Sequence, residues 1–374
     1  MRSVQRHKLS TIILIILLIC LSALPALADR YYSLDSLYHS FPEEKEKFEN
    51  FNRLVKRNSV TALKKQFNVK IAIVYPGKQV SDYWRRSYTS FVRRLKMYGI
   101  TPELYSFFVK PTTPLSEQNA AFRKALGTNP DYLIFTLDAL RHQRIIEPVL
   151  IRSKPSIILQ NITTPLKAWD GKQPLMYIGF DHAYGSVKLA EYFAAVTGGK
   201  GKYAVLLPDP GYLSDERGKT FISWLDKNSN LKMVSVFQTG INKEKARKAT
   251  IRLVQKHPDI KFIYACSTDI ALGAIEGLRE TGFLNKIMVN GWGGGSPELD
   301  AIMKNEMTVT AMRINDDNGV AMADAIILDL LGHKTKLPLV FSGRFEIVEK
   351  GIDPVKLEKL KNESFRYSGK NGEN

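Results

Sequence analysis

The chain has 374 residues, with 54 Lys and Arg against 37 Asp and Glu, a formal net charge of +17. With two cysteines and six histidines, none in an HExxH spacing, it carries no disulfide framework and no transition-metal signature. The length suits two domains, each large enough for its own core.

The first 28 residues read as a secretory signal peptide. Arg2, Arg6 and Lys8 form a basic start, TIILIILLICLSAL (11–24) an apolar core, and Ala26-Leu27-Ala28 a small-x-small cleavage site. Bulky Ile19 before Cys20 argues against a lipoprotein site. Three basic residues and no acid leave with the leader, so the mature chain stays strongly basic and keeps one thiol, Cys266. A secreted basic chain rarely meets nucleic acid; solvated lysines, or contact with an anionic surface or partner, fit better. No later run is apolar enough to span a bilayer, so a mature protein of the periplasm is expected, without membrane insertion.

Residues 29–68 read as a helical extension, with PEEKEKFENFNRLVKRNSVTALKKQF as its amphipathic part. From Val69 the pattern becomes regular. VKIAIVYP (69–76) predicts a buried strand stopped by Pro76-Gly77, and a helix follows from SDYW. Strands ELYSFFV, DYLIFTL and PSIILQN then alternate with helices at 116–127 and 141–152. ITTPLKAWDGKQP (162–174) breaks the rhythm and reads as an interdomain connection. Alternation resumes with LMYIGF, KYAVLLP, KMVSVFQ, FIYAC, KIMVNGW, TVTAMR and LVFSGRFEIV, with helices at 184–197, 214–227, 242–256, 269–281, 296–305 and 315–331. This predicts an α/β protein of two doubly wound parallel-sheet units, with no helix-turn-helix.

In open α/β sheets ligands bind beyond the carboxyl ends of strands. The polar and aromatic residues collected there are Gln79, Ser81 and Trp84 after the first strand, Thr136 and Asp138 after the third, and Asn161 after the fourth. The second unit adds Arg217 in YLSDERGKTF, Ser267, Thr268 and Asp269 after FIYAC, Trp292 in NGW, and Arg313 closing TVTAMR. Two indoles can cover the faces of a small ring. Amide, hydroxyl and carboxylate groups can fix its hydroxyls, and two guanidinium groups can hold negative charge. The set suits a small polyhydroxylated ligand, neutral or anionic. Each residue has a plainer role open to it: Ser81 and Asp269 as helix caps, Trp84 as core, Asp138 as a cap or orienting group, Arg217 and Arg313 as salt-bridge partners. GWGGGS (291–296) lacks the Gly-x-Gly-x-x-Gly spacing, and Leu213 stands where a phosphate loop ending in Gly218-Lys219-Thr220 needs its first glycine. No nucleophile–base pair stands out, so an enzyme is not expected.

YPGKQVSDYW, DYLIFTLD, ILQNITTP, YIGFDHAYGS, FIYACSTDIALGA, NGWGGGSPELDAI and MRINDDNGVAMADAI together resemble the LuxP-type autoinducer-2 receptors, within the ribose-binding-like type I periplasmic binding proteins. The resemblance runs from about residue 70 to FRYS at 365–368. It implies two α/β domains joined by a three-crossing hinge, with ligand in the interdomain cleft. It places the first domain at 69–164 plus 313–343, the second at 174–312 plus 344–368, a hinge segment at 165–173 and a tail at 369–374. It implies ligand contacts from Gln79, Ser81, Trp84, Asn161, Arg217, Thr268, Trp292 and Arg313, with Thr136, Asp138 and Asp269 as contacts or supports. The implied ligand is a furanosyl borate diester, its borate part of the ligand and no separate cofactor. The implied partner is the periplasmic domain of a LuxQ-like membrane sensor histidine kinase, which reads domain closure. The alternative is the solute-binding subunit of a pentose-type ABC importer.

Overall fold

The computed structural model describes residues 30–111, 113–136 and 140–369. The segment read as a leader and most of the expected tail lie outside them. The first sheet takes β1 (Lys70–Tyr75), β2 (Glu103–Phe108), β3 (Tyr132–Thr136), β4 (Ser156–Gln160), β5 (Met176–Phe180) and β11 (Val340–Gly343) in the order β11-β5-β4-β3-β1-β2, all parallel. The second takes β6 (Lys200–Leu207), β7 (Asn230–Gln238), β8 (Ile260–Ala265), β9 (Met288–Gly293), β10 (Val309–Arg313) and β12 (Phe345–Glu349) in the order β12-β10-β9-β8-β6-β7. Only β12 runs antiparallel, against β10. KIAIVY is β-branched and apolar because helices cover both faces of β1: all its residues but Lys70 are buried. Each lobe thus holds two apolar layers, one on each side of its sheet.

Three departures from the expected layout have clear causes. LMYIGF belongs to the first lobe, because β5 pairs with β4 and β11; the chain first crosses at Asp181, not at 165–173. The 162–174 segment lies on the first lobe instead, with Trp169 buried and its indole Nε1 donating to Glu147 at 3.0 Å. Second, the extension is helical only at α1 (Leu34–Ser40) and α2 (Glu43–Val55). Arginines take the carbonyls where α2 stops: Arg94 donates to Leu54 and Arg57, and Arg366 to Val55. Third, Phe365 packs in the second lobe, but Tyr367 and Ser368 return to the first. Their backbone N–H groups both donate to Asp316 Oδ2 at 2.7 Å. The other two crossings fall near the expected positions, between β10 and the helix α11 (Asp316–Leu330), and at Arg344 between β11 and β12.

Candidate ligand-binding cleft

Between the lobes lies a cavity of about 80 Å³. One water needs only roughly 10–15 Å³ on this measure, so the space is that of a small organic ligand. Gln79, Ser81, Trp84, Thr136, Asn161, Arg217, Thr268, Trp292 and Arg313 all line it. Asp138 lies outside the described residues.

The first-lobe wall follows from how β1 ends. Pro76 and Gly77 stop the strand, and the chain turns into the helix α3 (Tyr83–Met97). Gln79 folds back, its Nε2 donating to the Pro76 carbonyl at 2.7 Å. Trp84 is both core and wall: it is buried, with ring centroids 4.9 Å from Tyr75 and 4.7 Å from Tyr83, and it still faces the cavity. Thr136 Oγ1 donates to the Gln160 carbonyl at 3.1 Å. Asn161 sits at φ 68°, a left-handed conformation that Asn tolerates, and its buried Oδ1 has no hydrogen-bond partner.

The second-lobe wall is built around two cations. Arg217 emerges from a π-helical turn, Ser214–Lys219, ahead of the following α-helix. Its Nη1 donates to the Cys266 carbonyl at 2.7 Å, and its guanidinium carbon lies 4.0 Å from the Trp292 ring centroid. Trp292 is fixed in turn by Nε1 donating to Tyr264 Oη at 3.0 Å and by its backbone N–H donating to Glu298 at 2.9 Å. Arg313 closes β10, with its guanidinium 4.4 Å from the Tyr83 ring, 5.5 Å from Phe180 and 5.7 Å from Trp292. Its Nε has no hydrogen-bond partner among the described residues. Neither arginine forms a salt bridge with a carboxylate among the described residues. Burial, and then Arg313 itself, pushes Arg217 down to about 9, which leaves it charged at neutral pH. Burial lowers Arg313 too.

Asp269 stands apart from the other expected residues. The cap of the helix α9 (Thr268–Glu280) is Ser267, whose side chain accepts from Ile270 N–H. Asp269 reaches across the cleft mouth, accepting from Val80 N–H at 3.0 Å and Ser81 N–H at 3.2 Å. A second cross-lobe contact has Ser296 N–H donating to Asp82 Oδ2 at 3.1 Å. It explains the glycine run. Gly294 takes φ 64°, and a Cβ on Gly295 would stand 2.0 Å from Asp82 Oδ1, so only glycine lets this loop reach the other lobe. The lobes are held closed by these contacts.

Tyr83, Gln118 and Tyr212 also line the cavity and escaped the sequence reading. Tyr83 is adjacent to Trp84 and could have been found there; its hydroxyl accepts from Gln160 and Asn318. Nothing local marks Gln118 or Tyr212, which only the tertiary fold brings in. Among the described residues no cluster of His, Cys, Asp and Glu is arranged to hold a metal, and no helix is long and apolar enough to cross a membrane.

Two like-built lobes around a ring-sized cleft define a solute-capturing architecture. The chain belongs to the periplasmic binding protein domain family, which it matches over residues 71–334. It is similar to the D-apiose import binding protein of Paraburkholderia graminis, 24% identical over 57% of this chain and 74% of that protein. It is also similar to the ribose import binding protein RbsB of Bacillus subtilis, 27% identical over 43% of this chain and 51% of that one. Among solved structures, an ABC transporter solute-binding protein from Agrobacterium vitis bound with alpha-D-tagatopyranose aligns with a TM-score of 0.69 and 17% identity, over 78% of this chain and 98% of that one. The glucose-galactose binding protein GanP from Geobacillus stearothermophilus aligns with a TM-score of 0.67 and 16% identity, over 77% and 100%. Identities this low establish the shared fold.

Proposed function

We propose that this protein captures a small cyclic polyol in anionic form, the furanosyl borate diester of autoinducer-2, and closes its lobes over it for a membrane sensor histidine kinase to read. One observation carries the ligand reading: Arg217 and Arg313 converge, buried and with no ion-paired carboxylate among the described residues, on one cleft. Two buried cations without a directly paired acid among the described residues favour a ligand that brings negative charge, where charge-assisted hydrogen bonds are strong. Walls from both lobes make binding favour the closed state, and closure is the form in which a partner would sense the ligand. Nothing in this reading requires catalysis.

A second reading is favoured by the relatives, which are named as import binding proteins for D-apiose and ribose. They lean toward a sugar-binding subunit that delivers ligand to a permease, and lend nothing particular to signalling. The two readings share the fold, the cleft and a polyol ring; they part over ligand charge and over the partner.

Calorimetric titration of the mature protein with autoinducer-2, with and without borate, and with D-ribose and D-apiose separates them. Boron NMR and mass spectrometry on ligand released from the purified protein identify what it carries. Borate-dependent binding at least about tenfold tighter than that of either pentose is the expected result. Tight pentose binding indifferent to borate overturns the anionic reading in favour of import. Release of chemically altered ligand would overturn the binding-protein reading itself.

A further inference from the structure

His182 opens the second-lobe helix α6 (His182–Val196), directly after the first crossing, and only 1% of it is exposed. Its ring stands between the lobes. Nε2 lies 3.1 Å from the Asn161 carbonyl oxygen on the first lobe, and Nδ1 lies 3.3 Å from both Nε and Nη2 of Arg217. A guanidinium has only donors, so Nδ1 must accept; the ring is therefore neutral, with its proton on Nε2 given to Asn161. The rings of Tyr212 and Trp292 wall it in at 5.7 and 5.6 Å.

We propose that His182 is the positioning residue that aims Arg217 into the cleft and ties it to the hinge, and that proton uptake by its ring releases Arg217, making ligand capture acid-sensitive. The charged groups facing the ring are Arg217, from the π-helical turn, and Arg313, from β10; both oppose a second proton. Asp181 precedes it, but that carboxylate caps α6 by accepting from Tyr184 N–H at 2.8 Å. Burial, reinforced by the two arginines, holds the imidazole well below the ordinary histidine range. When a proton does arrive, an Nδ1–H faces two N–H donors of a cation, and the geometry that holds Arg217 is lost. The ligand arm of the test rests on the anionic-ligand reading; the spectroscopic arm does not.

The test uses the mature chain. Nitrogen-15 NMR of labelled, ligand-free protein at pH 7 should show His182 with a bare Nδ1 and a protonated Nε2. An Nδ1–H tautomer or an imidazolium there overturns the proposal whatever the ligand proves to be. Affinity for autoinducer-2 in borate is then followed from pH 8 down to pH 4, because the buried ring takes up its proton below the ordinary histidine range. His182→Phe should weaken binding at pH 8 by about tenfold or more. His182→Gln keeps one acceptor and one donor, so it should bind within about threefold of wild type at pH 8. The wild type should lose affinity at the acid end of that range and His182→Gln should not; a wild-type profile that stays flat to pH 4 overturns the gate. A fall that persists in His182→Gln belongs to the ligand's own chemistry and overturns the gate, as does wild-type affinity in His182→Phe.

Discussion

Arg94 and Arg313 are both buried cations carried by the same compact structure, yet their surroundings are opposite. Arg94, on α3, faces α11 inside the first lobe and spends every donor. Nε and Nη2 bind Asp324 at 2.8 and 3.0 Å, and the remaining N–H groups reach the Arg57 and Leu54 carbonyls and the Tyr367 hydroxyl. Arg313 faces aromatic rings, and among the described residues its Nε is unpartnered and no carboxylate pairs with it; Glu298 and Asp82 act on it only at longer range. Burying a charge without a partner is costly. Arg94 is satisfied fully within the fold, whereas Arg313 bears that cost, which the proposed anionic ligand would relieve.

The largest effect should come from breaking the satisfied pair. Arg94→Met strands Asp324, whose side chain is fully buried, and should cost about 3–5 kcal/mol in urea unfolding. Arg94→Met combined with Asp324→Leu should recover most of that loss, because both charges leave together. An equal loss in the double variant would mean that the arginine's bonds to the α2 carbonyls, rather than the ion pair, hold the extension.

Removing the unsatisfied cation should do the reverse. Arg313→Met should leave the unliganded protein at least as stable as wild type, while weakening an anionic ligand by about 2–5 kcal/mol. Pentose affinity should fall far less. Should Arg313→Met destabilise the free protein as Arg94→Met does, the contrast between the two arginines dissolves and Arg313 becomes a structural residue.

The contrast was half legible in the sequence. Strand-end position brought Arg217 and Arg313 into one group, because a doubly wound sheet sends its strand ends to one edge. That neither forms an ion pair among the described residues could not be read, since a missing partner is a tertiary fact. Arg94 and Asp324 sit 230 residues apart on helices whose contact no local pattern announces. For the same reason the first crossing was placed too early: the Pro- and Gly-bearing segment 162–174 looks like a linker, and only the pairing of β5 with β4 puts it on the first lobe. Asp269 resembled a helix cap by position, and the true cap, Ser267, stood two residues before it.

An unpartnered acid near the hinge offers a smaller test of opposite sign. Burial, then Asp181 and Asp215, raise the Glu216 carboxyl to about 7. Its folded value thus lies above its unfolded one, so the folded state holds the proton longer. Stability from this group is full below about pH 4.5 and is lost as pH rises toward 7. Glu216→Gln should match wild type at pH 4 and exceed it at pH 8 by about 1 kcal/mol, allowing for solvent screening. Equal pH profiles for the two proteins would remove Glu216 from the account.

The smallest effect separates closure from charge. Asp269 accepts two backbone N–H groups from the opposite lobe, and these bonds exist only when the cleft is shut. In an open protein the carboxylate would be hydrated, so the net gain on closure is about 1 kcal/mol. Asp269→Asn keeps an acceptor but loses the charge assistance. If it disfavours the binding-competent closed state by that amount, apparent affinity falls by up to about fivefold, since affinity scales with the competent fraction. The fall should be the same for autoinducer-2 and for a neutral pentose, because Asp269 does not line the cavity. This sets it against Arg313→Met, whose effect must depend on ligand charge. Small-angle scattering of the unliganded variant should show a larger radius of gyration than wild type. Should Asp269→Asn discriminate between charged and neutral ligands while scattering is unchanged, Asp269 acts on the ligand through the field in the cleft, and the latch reading is lost.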